Sequence, residues 1–145
     1  MVRFILKCVR LGLRWFFRRR TVVVELGLGD ALDRLSILEI KISRIGDDEK
    51  REKARLDFVL LRDALAAAGI EPSKLAEYNE LLKVNGALWH VEDLLRGHHE
   101  KLGKFGAKFV ELARSVYQLN DERAAVKKAI DTRLGSLVEE VKSYV

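Results

Sequence analysis

Polar side chains occupy several positions where the helical pattern of the chain calls for apolar ones, and these are the candidates for chemistry. Arg123 falls between Leu119 and Val126 on an apolar stripe. An unpaired buried charge costs several kcal/mol, so we expect Arg123 to pair with Glu92, Asp93 or Asp33. Such a network most commonly fixes helix register, and it can also bind an anion or perform acid/base chemistry. The candidate network comprises Asp33, Arg34, Glu39, Asn85, Trp89, Glu92, Asp93, Arg96, Asn120, Arg123 and Lys127.

Other residue types that commonly do chemistry are poorly placed in this chain. His98 and His99 are adjacent, so they cannot share one helix face, and no metal-binding spacing accompanies them or His90. Cys8 is the only cysteine, which rules out an internal disulfide and fits a reducing compartment. No serine lies in a nucleophile elbow. These residues therefore indicate no catalytic residue, metal or cofactor, and they favour binding over catalysis, with an enzyme site left open as the alternative.

The sequence Gly27-Leu28-Gly29 has the form G-x-G, which begins many phosphate-binding loops. Only one short β-branched segment, residues 22–26, precedes it, and no third glycine follows. The alternative is a turn into a helix that begins near Asp30. The pattern favours the turn.

The first twenty residues form a basic amphipathic leader. Five of its seven basic residues recur every three or four positions and so share one narrow helical stripe: Arg3, Lys7, Arg10, Arg14 and Arg18. Apolar residues fill most of the remaining surface. All seven basic residues of the leader precede the first acidic residue, Glu25; without them, acidic residues slightly outnumber basic ones. The residues expected to contact a membrane are Arg3, Lys7, Arg10, Arg14, Trp15, Phe16 and Arg18.

Several classes of partner could cover the apolar arc of the leader. Its frequent charges exclude a transmembrane span, and Lys7 and Arg10 interrupt the apolar run that a secretory signal needs. A helix lying in the plane of an anionic membrane surface fits best, at the cytoplasmic face of the inner membrane. Packing on the body or on a partner protein, and a mitochondrial presequence, stay open. Nucleic-acid binding is disfavoured, because the basic and aromatic residues lie on opposite faces.

The remaining residues, 21–145, form one helical domain in this interpretation. Apolar residues at spacings of three and four predict helices over about 30–45, 48–68, 72–101 and 107–134, with Gly69 and Gly135 as stops and Pro72 opening the third. Short connections predict an all-α, antiparallel four-helix bundle preceded by a short extended segment. Apolar surface on the first and fourth helices leaves a homo-oligomer open.

Several strings of the body resemble an uncharacterised family of small helical bacterial proteins over about residues 22–144. They are G-D-A-L-D-R-L-S-I-L-E-I-K-I-S-R-I at 29–45, N-G-A-L-W-H-V-E-D-L-L-R at 85–96, F-V-E-L-A-R-S-V-Y-Q-L-N-D-E-R-A-A-V-K-K-A-I-D at 109–131 and L-G-S-L-V-E-E-V-K-S-Y at 134–144. Val141 departs from the family's usual ending.

The resemblance implies an association with glycosyltransferases and surface-polysaccharide gene clusters, and hence an accessory protein. It adds Asp30, Lys41, Arg114, Tyr117 and Asp121 to the polar residues of interest. The leading hypothesis is a non-enzymatic adaptor at the membrane surface that docks a partner, such as a glycosyltransferase. The alternative is an anionic-ligand or enzyme site in the polar network.

A second likeness, confined to the first predicted helix, is to the helical chorismate mutases. Asp30, Asp33, Ile37, Leu38 and Glu39 resemble their D-x-x-D-x-x-I-L-E-L pattern, and Arg44 and Lys50 would be recruited. Those enzymes hold a dicarboxylate among basic side chains and stabilise a charged transition state electrostatically. The resemblance would imply such a site here.

Overall fold

A computed structural model of the chain describes residues 22–103, 105–139 and 141, so the predicted leader lies outside the described residues. The described ranges contain four α-helices: α1 (Leu28–Arg44), α2 (Asp48–Ala67), α3 (Ala76–Asp93) and α4 (Ala107–Leu134). A 3-10 turn, Pro72–Lys74, precedes α3, and a π-helical segment, Leu94–Glu100, follows it. No strand occurs in these ranges, and the all-α class is confirmed.

The helix boundaries follow from local chemistry. The side chain of Asp47 caps α2 by accepting a hydrogen bond from the backbone N–H of Lys50 at 3.0 Å. Gly69 after α2 and Gly135 after α4 have positive φ values of 78° and 63°, a conformation that glycine adopts without strain. The prediction that Pro72 opens the third α-helix is wrong. Pro72 instead begins the 3-10 turn, and α3 starts at Ala76.

The first helix is the centre of the bundle, because α1 packs against each of the other three helices. Leu32 and Leu35 of α1, Leu81 of α3 and Ile130 of α4 are at most 1% exposed and form the middle of the core. Leu65 of α2 joins this cluster. The predicted apolar stripes therefore face inward, although α2 packs mainly on α1.

The π-helical segment continues α3 with a wider turn. Its residues, Leu94–Glu100, follow directly on Asp93 and include Arg96 and Gly97. π-helical turns inside α-helices are rare and occur often at functional sites. The helical pattern of the sequence predicted an uninterrupted α-helix to about residue 101, so this segment is a correction to that prediction.

Candidate functional site: a cationic groove between three helices

A groove of about 380 Å³ lies between α1, α3 and α4. Six of the eleven residues in the predicted polar network line it, five on α3 or the π-helical segment after it and one on α4. The groove is lined by Ile37, Ile40, Lys41, Asn85, Leu88, Trp89, Glu92, Asp93, Arg96 and Arg123.

One face of the third helix supplies most of the groove. Asn85, Trp89, Glu92 and Arg96 recur at spacings of four, three and four, which places them on the same side of a helix. Lys41 faces them from α1. Ile40 and Leu88 are buried and hold the two helices together beneath these polar side chains.

The charges in the groove do not cancel. Arg96 donates to Glu92 at 2.8 Å, with the Arg96 side chain largely exposed and that of Glu92 partly exposed. Lys41 and Arg123 are half-buried, and among the described residues neither has a carboxylate within ion-pair distance. The expected pairing of Arg123 with Glu92, Asp93 or Asp33 is therefore wrong for the described part of the chain. Three cations face two carboxylates across the groove.

The floor of the groove is fixed by a buried polar cluster that joins α1 to α3. Asn85 is 5% exposed, and its Nδ2 donates to Asp33 Oδ1 and to Ser36 Oγ, both at 2.8 Å. The Ser36 hydroxyl donates in turn to the backbone oxygen of Asp33 at 2.7 Å. Because each donor has an acceptor, this cluster holds the register of the two helices.

The remaining residues of the predicted network lie elsewhere. Arg34 is exposed and pairs with Asp57 of α2 at 3.5 Å. Glu39 accepts the hydroxyl of Tyr78 at 2.7 Å, on another side of α1. Asn120 donates to the backbone of its own helix, and Lys127 pairs with Asp30 at 2.7 Å. The structure thus divides the network into one groove, several contacts between helices and one bond within a helix.

The Gly27-Leu28-Gly29 sequence forms the N-terminal end of α1 at its close contact with α4: Gly27 is the N-cap and the helix begins at Leu28, so the expected turn before a helix beginning near Asp30 is wrong. The N–H of Gly29 donates to Asp131 Oδ1 at 2.7 Å, and that of Leu28 donates to Ser136 Oγ at 3.0 Å. The buried Asp131 carboxylate therefore serves the N-terminus of α1 as a capping anion. Both amides already donate to side chains of the protein, so they are not available to bind a phosphate, which argues against a phosphate-binding loop.

Two important residues lie outside the predicted network: only the family resemblance indicates Lys41, and no sequence motif singles out Asp131. Lys41 lies one helical turn after Ile37 on the same face of α1, and both residues line the groove. Asp131 follows Lys127 by one turn on α4, and its partner is the backbone amide of Gly29. A backbone partner leaves no residue-type signal, although two closely spaced glycines do indicate a close approach of helices.

The residues behind the likeness to chorismate mutases are dispersed. Asp30 pairs with Lys127, Asp33 is buried with Asn85, and Glu39 lies on the Tyr78 side of α1. Lys50 pairs with Asp47. Within the described ranges, these residues do not assemble a site for a dicarboxylate.

Neither a metal site nor a membrane span is found in the described part of the chain. Among the residues that the structure describes, no three histidine, cysteine or acidic side chains are grouped to hold a metal ion. None of the helices in that part is both long and apolar enough to cross a bilayer. The side chains of His98, His99 and Glu100, and the leader, lie outside what is described.

Residues 22–145 match the model of a family of unknown function, DUF6165, and the chain belongs to this family. The match covers the whole helical body and begins after the basic leader. No curated protein and no solved structure shows a significant similarity to the chain.

Proposed function

We propose that this member of the family binds a small anionic ligand with a flat apolar part in the groove between α1, α3 and α4. One observation carries the proposal. Lys41 and Arg123 both line this concave surface, both are half-buried, and neither has an ion-pair partner among the described residues. A bound anion would supply the missing partner for both.

The solvation energy of Lys41 and Arg123 favours a role in binding over a role in stability alone. A cation withdrawn from water without a partner loses solvation, and this loss is recovered when an anion arrives. Arg123 offers the planar donor geometry that suits carboxylate and phosphate groups. Trp89 is half-buried in the same groove and supplies a flat apolar surface beside the charges.

The competing explanation is that the polar residues only fix the register of the helices. It accounts for Asn85, Asp33 and Ser36, which satisfy each other inside the bundle. It does not account for Lys41 and Arg123. Both side chains border the open volume of the groove, and neither contacts a carboxylate of the described residues. The floor of the groove is structural, and we assign binding to its walls.

Isothermal titration calorimetry of the full chain with phenyl phosphate tests this proposal. We expect saturable binding of one molecule per chain, and weaker binding of inorganic phosphate, which cannot use Trp89. Hydrogen bonds to charged groups contribute about 1.5–3 kcal/mol. Lys41→Gln and Arg123→Gln should therefore each raise Kd by roughly tenfold or more.

Matched variants separate the groove from general charge effects. Lys83 and Arg114 are exposed, lie on α3 and α4, and do not line the groove. Lys83→Gln and Arg114→Gln should leave Kd within about twofold of the parent value, since each removes the same charge from the surface. Equal losses in all four variants, or no saturable binding, would contradict the proposal.

A second function concerns the leader, and two observations favour it. The spacing of its basic and apolar residues would place them on opposite sides of a helix, and the family match begins just after it, at residue 22. We propose that the leader holds the protein at an anionic membrane surface, on the cytoplasmic side, as an accessory to a partner such as a glycosyltransferase of surface-polysaccharide synthesis. The support for that partner is the family resemblance of the sequence strings.

Flotation of the full chain with anionic vesicles at low salt tests the membrane proposal. Each basic residue near an anionic leaflet contributes about 1 kcal/mol. A variant with glutamine at four leader positions should therefore remain in the bottom fraction: Arg3, Lys7, Arg10 and Arg14. A control variant with four exposed basic residues of the body changed to glutamine should float like the parent: Arg34, Arg55, Lys83 and Arg114. Equal flotation of both variants would refute a role of the leader.

A further inference from the structure

A second and larger groove, of about 720 Å³, lies between α1, α2, the 3-10 turn and α3. It uses other residues of α1 and α3 than the cationic groove does. Leu35 and Glu39 line the second groove, whereas Ile37 and Lys41 line the first. The walls are mainly apolar and come from Phe58, Ile70, Pro72 and Leu82 among others.

A carboxylate is anchored in this apolar surface. Tyr78 is 6% exposed, and its hydroxyl donates to Glu39 Oε2 at 2.7 Å. The donor is neutral, so the hydrogen bond orients the Glu39 carboxylate without neutralising its charge. The remaining lone pairs of the carboxylate are open to a further donor.

The charge balance of the second groove is opposite to that of the first. Arg62 and Glu71 also line it, but Arg62 pairs with Asp63 at 2.9 Å and Glu71 pairs with Lys74 at 2.7 Å. Among the described residues, Glu39 has no cation within ion-pair distance. The charge left without an ionic partner in this groove is therefore one carboxylate.

From this arrangement we infer that the second groove binds an amphiphilic monocation, an apolar chain or ring that bears one protonated amine. The ammonium group donates to Glu39, which Tyr78 holds in place, and the apolar body packs against Phe58, Ile70 and Leu82. The volume lies within the range of small-molecule sites, which are mostly apolar with a few placed polar groups. This site is independent of the anion proposed for the cationic groove.

Methyl NMR of the full chain with octylammonium as the probe tests the inference. We expect octylammonium to cause saturable chemical-shift changes of the Ile70 and Leu82 methyl groups. Its Kd, measured at these methyl groups, should be at least tenfold lower than the Kd of octanoate or octanol. Any binding of octanoate in the cationic groove would instead shift the methyl resonances of Ile37 and Ile40, which line that groove. The residues whose resonances shift therefore identify the groove that is occupied.

Substitution of Glu39 gives the decisive comparison. Glu39→Gln removes the charge but keeps an oxygen that can accept the Tyr78 hydroxyl, so the fold should be retained, which a thermal melt verifies. We expect octylammonium binding to weaken about tenfold and octanol binding to stay unchanged. Glu80→Gln, an exposed site on α3 outside the groove, is the matched control and should bind like the parent. Equal affinity for octylammonium and octanoate, unaltered binding in Glu39→Gln, or no saturable shift at Ile70 and Leu82 would overturn the inference.

Discussion

At the scale of single residues, Tyr78 shows how burial and one hydrogen bond set the chemistry of a side chain. Desolvation in the core raises the pKa of its hydroxyl far above the ordinary value of 10.0, and the bond to the Glu39 carboxylate raises that pKa further. The phenol therefore stays protonated in the folded protein, where it serves as a permanent donor to Glu39.

Replacing Tyr78 by phenylalanine should have a pH-dependent effect on stability. A raised pKa in the folded state stabilises the protein fully below pH 10.0, the ordinary value, and this contribution is lost as the pH rises above it. At pH 7 we expect Tyr78→Phe to lower the free energy of unfolding by about 1 kcal/mol. Above pH 10 the difference should shrink, by at most about 1.4 kcal/mol per pH unit.

Urea unfolding of both proteins at a series of pH values between 7 and 11 measures this difference. Other groups that titrate in this range are common to both proteins and largely cancel in the comparison. A stability difference that does not change with pH would show that the Tyr78 hydroxyl ionises as easily in the folded protein as in the unfolded chain.

At the scale of elements, the position of α1 depends on a close approach to α4. The backbone of Gly29 lies so near to α4 that an added Cβ would meet the Lys127 backbone oxygen at 2.5 Å and Asp131 Oδ2 at 2.9 Å. The same aspartate caps the helix by accepting the Gly29 amide hydrogen. The absence of a side chain at Gly29 is what allows this contact.

Two glycine-to-alanine substitutions should therefore have opposite effects. Gly29→Ala should lower the free energy of unfolding by about 1–3 kcal/mol, because the methyl group forces the two helices apart. Gly86 lies inside α3, and an added Cβ there meets only Arg44 Nη2, at 3.6 Å. Gly86→Ala should raise stability by about 0.5–1 kcal/mol through helix propensity alone. Chemical denaturation of both variants measures the effects, and equal signs would contradict the account.

The elements were predictable from the sequence to different degrees. Apolar spacing located the four helices. Leu35, Leu81 and Ile130 each belong to a series of apolar residues at helical spacing on a different helix, and each is buried. Apolar spacing could not predict the π-helical segment, because no residue-type pattern marks that change of winding. Nor could it predict the 3-10 turn, since Pro72 suits the first turn of either kind of helix.

The candidate site was predictable only in part, for a physical reason. The stripe from Asn85 to Arg96 shares one helix face, so its common position followed from spacing alone. The neighbours across the helix interface depend on how the helices are rotated against each other, which spacing does not determine. Glu39 accordingly faces Tyr78, and Lys127 pairs with Asp30, although both were expected in one network.

At the scale of the whole molecule, the central helix separates two grooves of opposite character. The smaller groove between α1, α3 and α4 has a surplus of positive charge, and the larger one beside α2 has an apolar surface with one carboxylate. The buried contacts among Asp33, Ser36 and Asn85 fix α1 against α3 between them. The fold thus presents two grooves that use different residues of α1, and the family match covers both.

Tryptophan fluorescence tests whether the cationic groove binds an anion against Trp89. The chain has two tryptophans, and a Trp15→Phe variant of the full chain leaves Trp89 as the sole reporter. Titration with phenyl phosphate should change the Trp89 emission saturably, with one molecule per chain, and Arg123→Gln in the same background should raise the midpoint roughly tenfold. Emission that does not saturate, or that responds identically in the Arg123→Gln background, would contradict the account.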